Sequence, residues 1–79
     1  SLHDALPILK NFEHAAEVLT ALMEERDLTA AELSRQTEVN AGTIRNLMTG
    51  RQTNISTRNL MTLARYFGMS MEEFIRKIQ

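Results

Sequence analysis

Two adjacent polar side chains in the middle of the sequence have the chemistry to recognise the edges of DNA bases. Arg45 and Asn46 are residue types that form paired hydrogen bonds, with guanine and with adenine respectively. On a helix, at 100° per residue, they share one arc with Gly42 and Thr49. Residues 41–49 contain no acidic side chain. If this helix belongs to a DNA-binding motif, its acid-free arc favours base contact over a helix that is merely solvated.

The charge of the sequence is nearly neutral in total but unevenly distributed. Nine Lys and Arg face ten Asp and Glu, and the net charge is −1. Residues 1–38 carry three basic and eight acidic side chains, whereas residues 39–66 carry four Arg and no acid. The last segment, residues 67–79, has two charges of each sign. The average argues against a nucleic-acid partner, whereas the basic middle argues for one, so the fold must decide.

The composition excludes several other classes of protein. Seventy-nine residues suffice for one small domain, and the absence of cysteine removes disulfides and thiolate metal ligands. His14 has no second ligand at metal spacing, and there is neither a Ser-His-acid set nor a glycine-rich phosphate loop. No apolar run approaches about 18 residues. We therefore predict a non-enzymatic, cytoplasmic protein without metal, cofactor, small-molecule ligand or membrane contact.

Capping residues and apolar periodicity predict an all-α, compact five-helix fold. Strand signals are weak, whereas apolar residues recur at the spacing of a buried helix face. Polar caps precede each run, and glycine follows two of them. The predicted helices are a first from the cap Asn11 to about Glu25, a second from the capping box Thr29–Glu32 to about Gln36, a third over Ala41–Thr49 after Asn40, a fourth over Thr57–Phe67 after Ser56, and a fifth after the capping box Ser70–Glu73.

The second and third predicted helices form a helix-turn-helix. Only residues 37–40 separate them, which is the connection that this motif uses. Ile44 and Leu47 point to the side of the third helix opposite Arg45, and Val39 completes an apolar set. The third helix is therefore the predicted recognition helix.

The residues of this motif resemble the lambda repressor and Cro type of helix-turn-helix domain. The matching stretch runs from Leu28 to Gly50, with Leu33 and the closing glycine in register, and the resemblance extends over residues 19–75. The later stretch Asn54-Ile-Ser-Thr-Arg-Asn-Leu60 is similar to the restriction-modification controller proteins, which are small dimeric transcription regulators. The resemblance implies a bacterial or phage regulator that binds double-stranded DNA.

Some positions depart from the pattern of this family. Ala30 stands where the family commonly has a glutamine that supports DNA contacts, and Glu38 stands where it often has a glycine in the turn. Glu38 would need a positive φ or a different turn. Ala41 and Gly42 leave two base-reading positions nearly without side chains. Base recognition would then depend on Arg45, Asn46 and Thr43, with a contribution from DNA shape.

Residues on the recognition helix and around it form the predicted interface. The loop residues would clamp a phosphate or serve only as turn residues, and Thr29 would cap a helix whose N-terminus receives a phosphate. The predicted DNA-binding residues are Thr29, Asn40, Ala41, Gly42, Thr43, Arg45, Asn46, Thr49, Arg51, Thr53 and Asn54.

The predicted function is sequence-specific DNA binding as a homodimer that represses transcription or regulates its own gene. Two symmetric helices one DNA turn apart multiply affinity. The predicted dimer seam comprises Met71, Phe74, Ile75 and Ile78. The alternative is a protein-interaction module, such as an antitoxin or anti-repressor, that keeps the scaffold but reads no bases.

Two segments are expected along the chain. Ser1–Ile8 resembles the translated read-through of a sequencing adapter, so we assign it to a non-native tail and exclude it from the fold. Residues 9–79 then form a single helix-turn-helix domain.

Overall fold

In the computed structural model, which describes residues 9–79, the predicted five helices of an all-α fold are confirmed. Two short strands add an antiparallel ribbon. The elements are β1 (Leu9–Asn11), α1 (Ala15–Glu25), α2 (Ala30–Thr37), α3 (Ala41–Thr49), β2 (Asn54–Ser56), α4 (Thr57–Tyr66) and α5 (Met71–Ile78). None of the helices in residues 9–79 is long and apolar enough to span a membrane. The predicted tail, Ser1–Ile8, lies outside the described residues.

The start of the first helix differs from the prediction. α1 begins at Ala15, whereas Asn11, its expected cap, lies in β1 opposite Asn54 of β2. His14 takes the position before the helix and makes no side-chain capping bond. Its backbone N–H donates instead to the Ile78 carbonyl oxygen at 3.0 Å. Pairing with distant backbone groups therefore decides how this segment satisfies its polar atoms.

The other four predicted helix starts are confirmed. In each case a side-chain oxygen before the helix accepts a hydrogen bond from a backbone N–H in the first turn. The capping residues are Thr29 for α2, Asn40 for α3, Ser56 for α4 and Ser70 for α5. Local sequence alone specifies these helix starts because cap and amide lie within three residues of each other.

The core is a single cluster of apolar side chains to which every helix contributes. α3 packs against α1 and α2, while α5 packs against α4 and α1. The cluster comprises Phe12, Ala15, Leu19, Met23, Leu33, Val39, Ile44, Leu47, Ile55, Leu60, Leu63, Ala64, Phe67, Phe74 and Ile78. The apolar side of α3 is thus fixed by two neighbouring helices.

The predicted dimer seam on α5 is divided between core and surface. Phe74 is 1% exposed and Ile78 is fully buried, so both belong to the core of their own chain. Met71 and Ile75 are half-buried at its edge. The expectation that Phe74 and Ile78 contribute to an exposed seam is therefore wrong, because α5 turns these side chains inward against α1 and α4.

One long-range polar contact joins the end of α1 to the end of α4. The Arg26 Nη2 donates to the Phe67 carbonyl oxygen at 3.2 Å. The same guanidinium lies 5.1 Å from the centre of the Phe67 ring and 6.0 Å from that of Tyr66. A cation at the C-terminal end of a helix also interacts favourably with the helix dipole. Arg26 therefore stabilises the packing of two elements 41 residues apart.

Candidate nucleic-acid interface

Apolar side chains from both helices and the turn hold the helix-turn-helix together. Leu33 of α2 and Ile44 and Leu47 of α3 are fully buried, and Val39 in the turn is 4% exposed. This is the apolar set that the sequence predicts. Since the apolar side of α3 packs inward, the opposite side of α3 is directed to solvent in a fixed orientation.

The outer side of α3 brings together the predicted base-contacting residues. Gly42, Arg45, Asn46 and Thr49 line one shallow depression of about 330 Å³ with Arg51 from the following loop. Both arginines are exposed, and Asn46 is half-buried. None of the five lining residues is acidic, so two guanidinium groups and a carboxamide are presented together in a surface suited to an anionic partner.

The cap of α3 explains why its first turn has little side chain. The Asn40 Oδ1 accepts hydrogen bonds from the backbone N–H of Gly42 at 2.7 Å and of Thr43 at 3.3 Å. A Cβ on Gly42 would lie only 2.9 Å from that oxygen. A side chain at position 42 would therefore require the Asn40 amide to shift, and in the present cap the NH₂ group of that amide is left to donate. Ala41, which is half-buried, offers a methyl group.

Two of the four threonines predicted to contact DNA, Thr43 and Thr49, lie on α3. The Thr49 hydroxyl donates to the carbonyl oxygens of Arg45 at 3.0 Å and Asn46 at 3.3 Å. It is therefore left as an acceptor. Thr43 is half-buried in the first turn of α3, next to the cap.

The loop after α3 is held by Gln52, a residue that the sequence prediction missed. The Gln52 backbone N–H donates to the Asn46 carbonyl oxygen at 3.1 Å, and its Nε2 donates to the Asn54 carbonyl oxygen at 2.9 Å. Thr53 is exposed and Asn54 is half-buried. No local pattern signals this role, because Gln52 bonds to backbone atoms that only the path of the loop brings near.

A comparison with known families decides what this motif is. Residues 18–79, more than three quarters of the chain, match the Cro/C1-type HTH DNA-binding domain. The chain belongs to this family. Neither curated proteins nor solved structures gave a match. The partner of this Cro/C1-type domain is therefore double-stranded DNA, and its helix-turn-helix lies within the matched residues. β1 and Phe12 lie upstream of them.

The N-terminus of α2 in this Cro/C1-type domain is occupied by its own capping box. The Thr29 N–H donates to the Glu32 Oε1 at 2.9 Å, and the Glu32 N–H donates to the Thr29 hydroxyl at 3.1 Å. The Thr29 N–H also holds the pKa of the Glu32 carboxyl below its usual value. The box is thus intact at neutral pH and weakens as pH falls through that lowered pKa. A phosphate at Thr29 would have to displace this carboxylate.

The turn of the helix-turn-helix faces the start of α4. Glu38 in the turn and Arg58 of α4 line a second depression of about 260 Å³. Its remaining lining residues are Thr37, Val39, Asn59 and Thr62. Arg65, seven residues after Arg58, lines a different depression with Met61. The two arginines, which share a face by spacing, therefore have different surroundings.

Glu38 adopts the positive φ that its place in the turn requires. Its φ is 65° and its ψ is 13°, and its N–H donates to the Ser34 carbonyl oxygen at 2.7 Å. The left-handed region is unfavourable for a residue with a Cβ and is the usual place for glycine at a helix end. The domain thus keeps a strained residue and a carboxylate in its turn.

Replacing Glu38 with glycine is expected to raise the free energy of unfolding by about 0.5–1 kcal/mol, because the strain is relieved at some entropic cost. The melting temperature should rise by roughly 2–8 °C. Glu38→Gln is the matched control, since it removes the charge and keeps the Cβ. Equal melting temperatures for the two variants would contradict a strained turn.

His14 is the histidine within the described residues, and its surroundings do not resemble a metal site. Its side chain is 52% exposed, and Nδ1 lies 3.8 Å from a Glu17 carboxylate oxygen. Across residues 9–79, no three His, Asp or Glu side chains are grouped as metal ligands.

Proposed function

We propose that this domain is a sequence-specific transcription regulator that inserts α3 into the major groove of DNA. The observation that carries the proposal is the shared outer surface of Arg45, Asn46 and Arg51 beside the fixed helix α3. Repression or autoregulation is the proposed mode, since occupying a site that overlaps a promoter suffices for it. We also propose kinship with the restriction-modification controllers and a single domain over residues 9–79, preceded by a non-native tail.

The proposed contacts follow from the chemistry of each side chain. Arg45 would donate two hydrogen bonds to guanine, and Asn46 would pair with adenine. Asn40, Thr43 and Thr49 would supply single polar contacts at the edges of the groove, and Ala41 and Gly42 would allow close approach. The residues proposed to contact phosphates are Thr29, Arg51, Thr53 and Asn54.

The charge distribution predicts how this binding depends on salt. α1 carries exposed Glu17, Glu24 and Glu25, and it packs on the inner side of α3. The acidic surface is therefore turned away from the proposed DNA-binding side. Binding should be modest in strength, because the acidic residues add no attraction to phosphate, and it should weaken steeply with salt.

A salt titration tests the proposed function. The observed binding constant for a duplex selected from a random library should fall with salt, and the slope of log K against log salt should be about −0.9 for each phosphate contacted. A random duplex of equal length should bind more weakly. Absence of binding to any duplex at low salt would instead favour the protein-interaction module, which Glu38 and the capping box at the N-terminus of α2 support.

We propose that the domain acts as a homodimer through an apolar patch on α4 and α5. The patch is the depression of about 310 Å³ lined by Met61, Ala64, Arg65, Met69 and Met71. Met61 is 46% exposed, and it is the only large apolar side chain among residues 12–79 that is exposed. Ile75, one turn after Met71, continues the patch along α5.

Charge complementarity supports a second copy as the partner of this patch. Arg65 lies at the patch, and α5 begins with the exposed Glu72 and Glu73 next to Met71. In a two-fold dimer the same surface faces itself, so a patch that carries both signs can pair an arginine of one copy with a glutamate of the other. Two copies would also present two recognition helices to adjacent half-sites.

Met61→Glu is expected to convert the dimer to a monomer, because two buried carboxylates would face each other across the two-fold axis. The dissociation constant of the dimer, measured by sedimentation, should rise at least about tenfold, which corresponds to about 1.4 kcal/mol. Affinity for a duplex with two half-sites should fall with it. Ala21→Glu, at an exposed position of α1, is the control. An unmodified chain that is monomeric and binds DNA one to one would exclude this dimer.

A further inference from the structure

The N-terminal segment contacts the loop that follows the recognition helix, although it lies upstream of the residues that match the family. Leu9, Lys10 and Asn11 of β1 pair with Ser56, Ile55 and Asn54 of β2. The Phe12 N–H then donates to the Thr53 carbonyl oxygen at 2.6 Å, and the Phe12 side chain is 1% exposed in the core. The segment is thus anchored by a buried ring on one side and paired to the loop on the other.

The loop is held from its other side by the recognition helix itself. The Gln52 backbone N–H donates to the Asn46 carbonyl oxygen of α3 at 3.1 Å. The Gln52 side-chain Nε2 donates to the Asn54 carbonyl oxygen, at the start of β2, at 2.9 Å. The loop therefore lies between the end of α3 and the strand β1. The bond from Gln52 to Asn46 and the bond from Phe12 to Thr53 both join backbone atoms, so the path of the loop is held from each side by its main chain.

We propose that residues 9–12 are a brace that pre-organises the loop 51–54 for phosphate binding. The inference rests on the proposed function, in which Arg51, Thr53 and Asn54 contact phosphate. A loop already in its bound path loses less conformational entropy on binding, and this raises affinity without a new contact. Phe12 is then a positioning residue for DNA binding, and the segment upstream of the family match contributes to affinity but not to base preference.

The alternation of an antiparallel pair offers a matched set of variants. Since Phe12 and Thr53 form a hydrogen-bonded pair, the next such pair is Lys10 and Ile55, and Asn11 lies between them with its N–H directed away from β2. Lys10→Pro removes a ladder donor, whereas Asn11→Pro removes a donor that the ladder does not use. Lys10→Gln controls for the loss of the lysine charge.

Lys10→Pro is expected to weaken binding about tenfold relative to Lys10→Gln, for specific and random duplexes alike, if one charge-assisted contact is lost. The slope of log K against log salt should become shallower by about 0.9 for each phosphate released. Asn11→Pro should bind like the unmodified chain. Equal affinity and equal salt slope for folded Lys10→Pro and Lys10→Gln would overturn the brace.

Amide hydrogen exchange on the unmodified chain gives a second test that does not depend on a variant folding. Because coupling is reciprocal, DNA that binds through the braced loop must stabilise the brace. Exchange at the Lys10 and Phe12 amides should slow more on addition of the specific duplex than exchange in α1. Slowing no greater than in α1 would overturn the proposal. Failure of the proposed function is distinguishable, because the unmodified chain would then bind no duplex.

Discussion

Replacing Arg45 with alanine is expected to lower affinity for the specific duplex by roughly 5- to 150-fold, since a bidentate contact with guanine contributes about 1–3 kcal/mol of discrimination. Affinity for random duplexes should change little by comparison. Arg45 is exposed on α3, so its truncation leaves the core intact. Parallel titrations of both duplexes at one salt concentration measure the ratio of the two affinities, which is the quantity that this residue should control.

Arg76→Ala is the matched control for this experiment. It removes the same charge from an exposed position of α5, away from the lining residues of the α3 depression. The ratio of specific to random affinity should then stay unchanged. If Arg45→Ala weakened both duplexes equally, Arg45 would contact phosphate alone, and the base contact would have to be assigned elsewhere on α3.

Phe74→Ala is expected to reduce the free energy of unfolding by about 3–5 kcal/mol, because it opens a cavity where a fully packed ring lies. Phe74 is 1% exposed within its own chain. A domain of this length has a total stability of roughly 4–12 kcal/mol, so the variant should lose a large part of it and could be unfolded at 37 °C. Urea unfolding followed by circular dichroism measures the loss.

Phe74→Leu is the graded control, since it keeps an apolar side chain in the same site and should lose less stability than Phe74→Ala. Protein concentration separates the two roles that Phe74 could have. A core residue lowers stability at every concentration, whereas a seam residue acts through dimer dissociation. A Phe74→Ala chain that stays fully stable as a monomer would contradict the buried position.

The starts of four helices, including both helices of the helix-turn-helix, could be predicted because their determinants are local. Thr29, Asn40, Ser56 and Ser70 cap amides within three residues, so the sequence contains both partners of each hydrogen bond. The apolar side of α3 follows from helical spacing alone. Even the left-handed turn at Glu38 could be anticipated, since the motif bends the chain at that position whichever residue occupies it.

The N-terminal strand could not be predicted from its own residues. Three residues of β1 carry no alternation long enough to signal a strand, and Asn11 is a good helix cap when taken alone. Its partner lies 43 residues away in β2. The same holds for Gln52 and Arg26, whose hydrogen bonds end on carbonyl oxygens that every residue type possesses. Nothing in the side-chain sequence marks such acceptors.

Which residues of α5 lie in the core and which at the surface could not be predicted from the sequence either. Phe74, Ile75 and Ile78 are all apolar, and periodicity places them on one broad face without saying how much of it is covered. Packing against α1 and α4 buries Phe74 and Ile78, and it leaves Met71 and Ile75 at the edge beside the exposed Met61. The proposed dimer seam therefore includes Met61 of α4 beside Met71 of α5, and it leaves out Phe74 and Ile78.

By itself the sequence determined the helix-turn-helix and the basic, acid-free segment that contains Arg45 and Arg51, because caps, periodicity and charge act over a few residues. The tertiary structure alone decided that both arginines line one surface, that the acidic α1 packs behind α3, and that β1 supports the loop after it. Those relations join residues far apart in the chain, and only packing of the whole core brings them together.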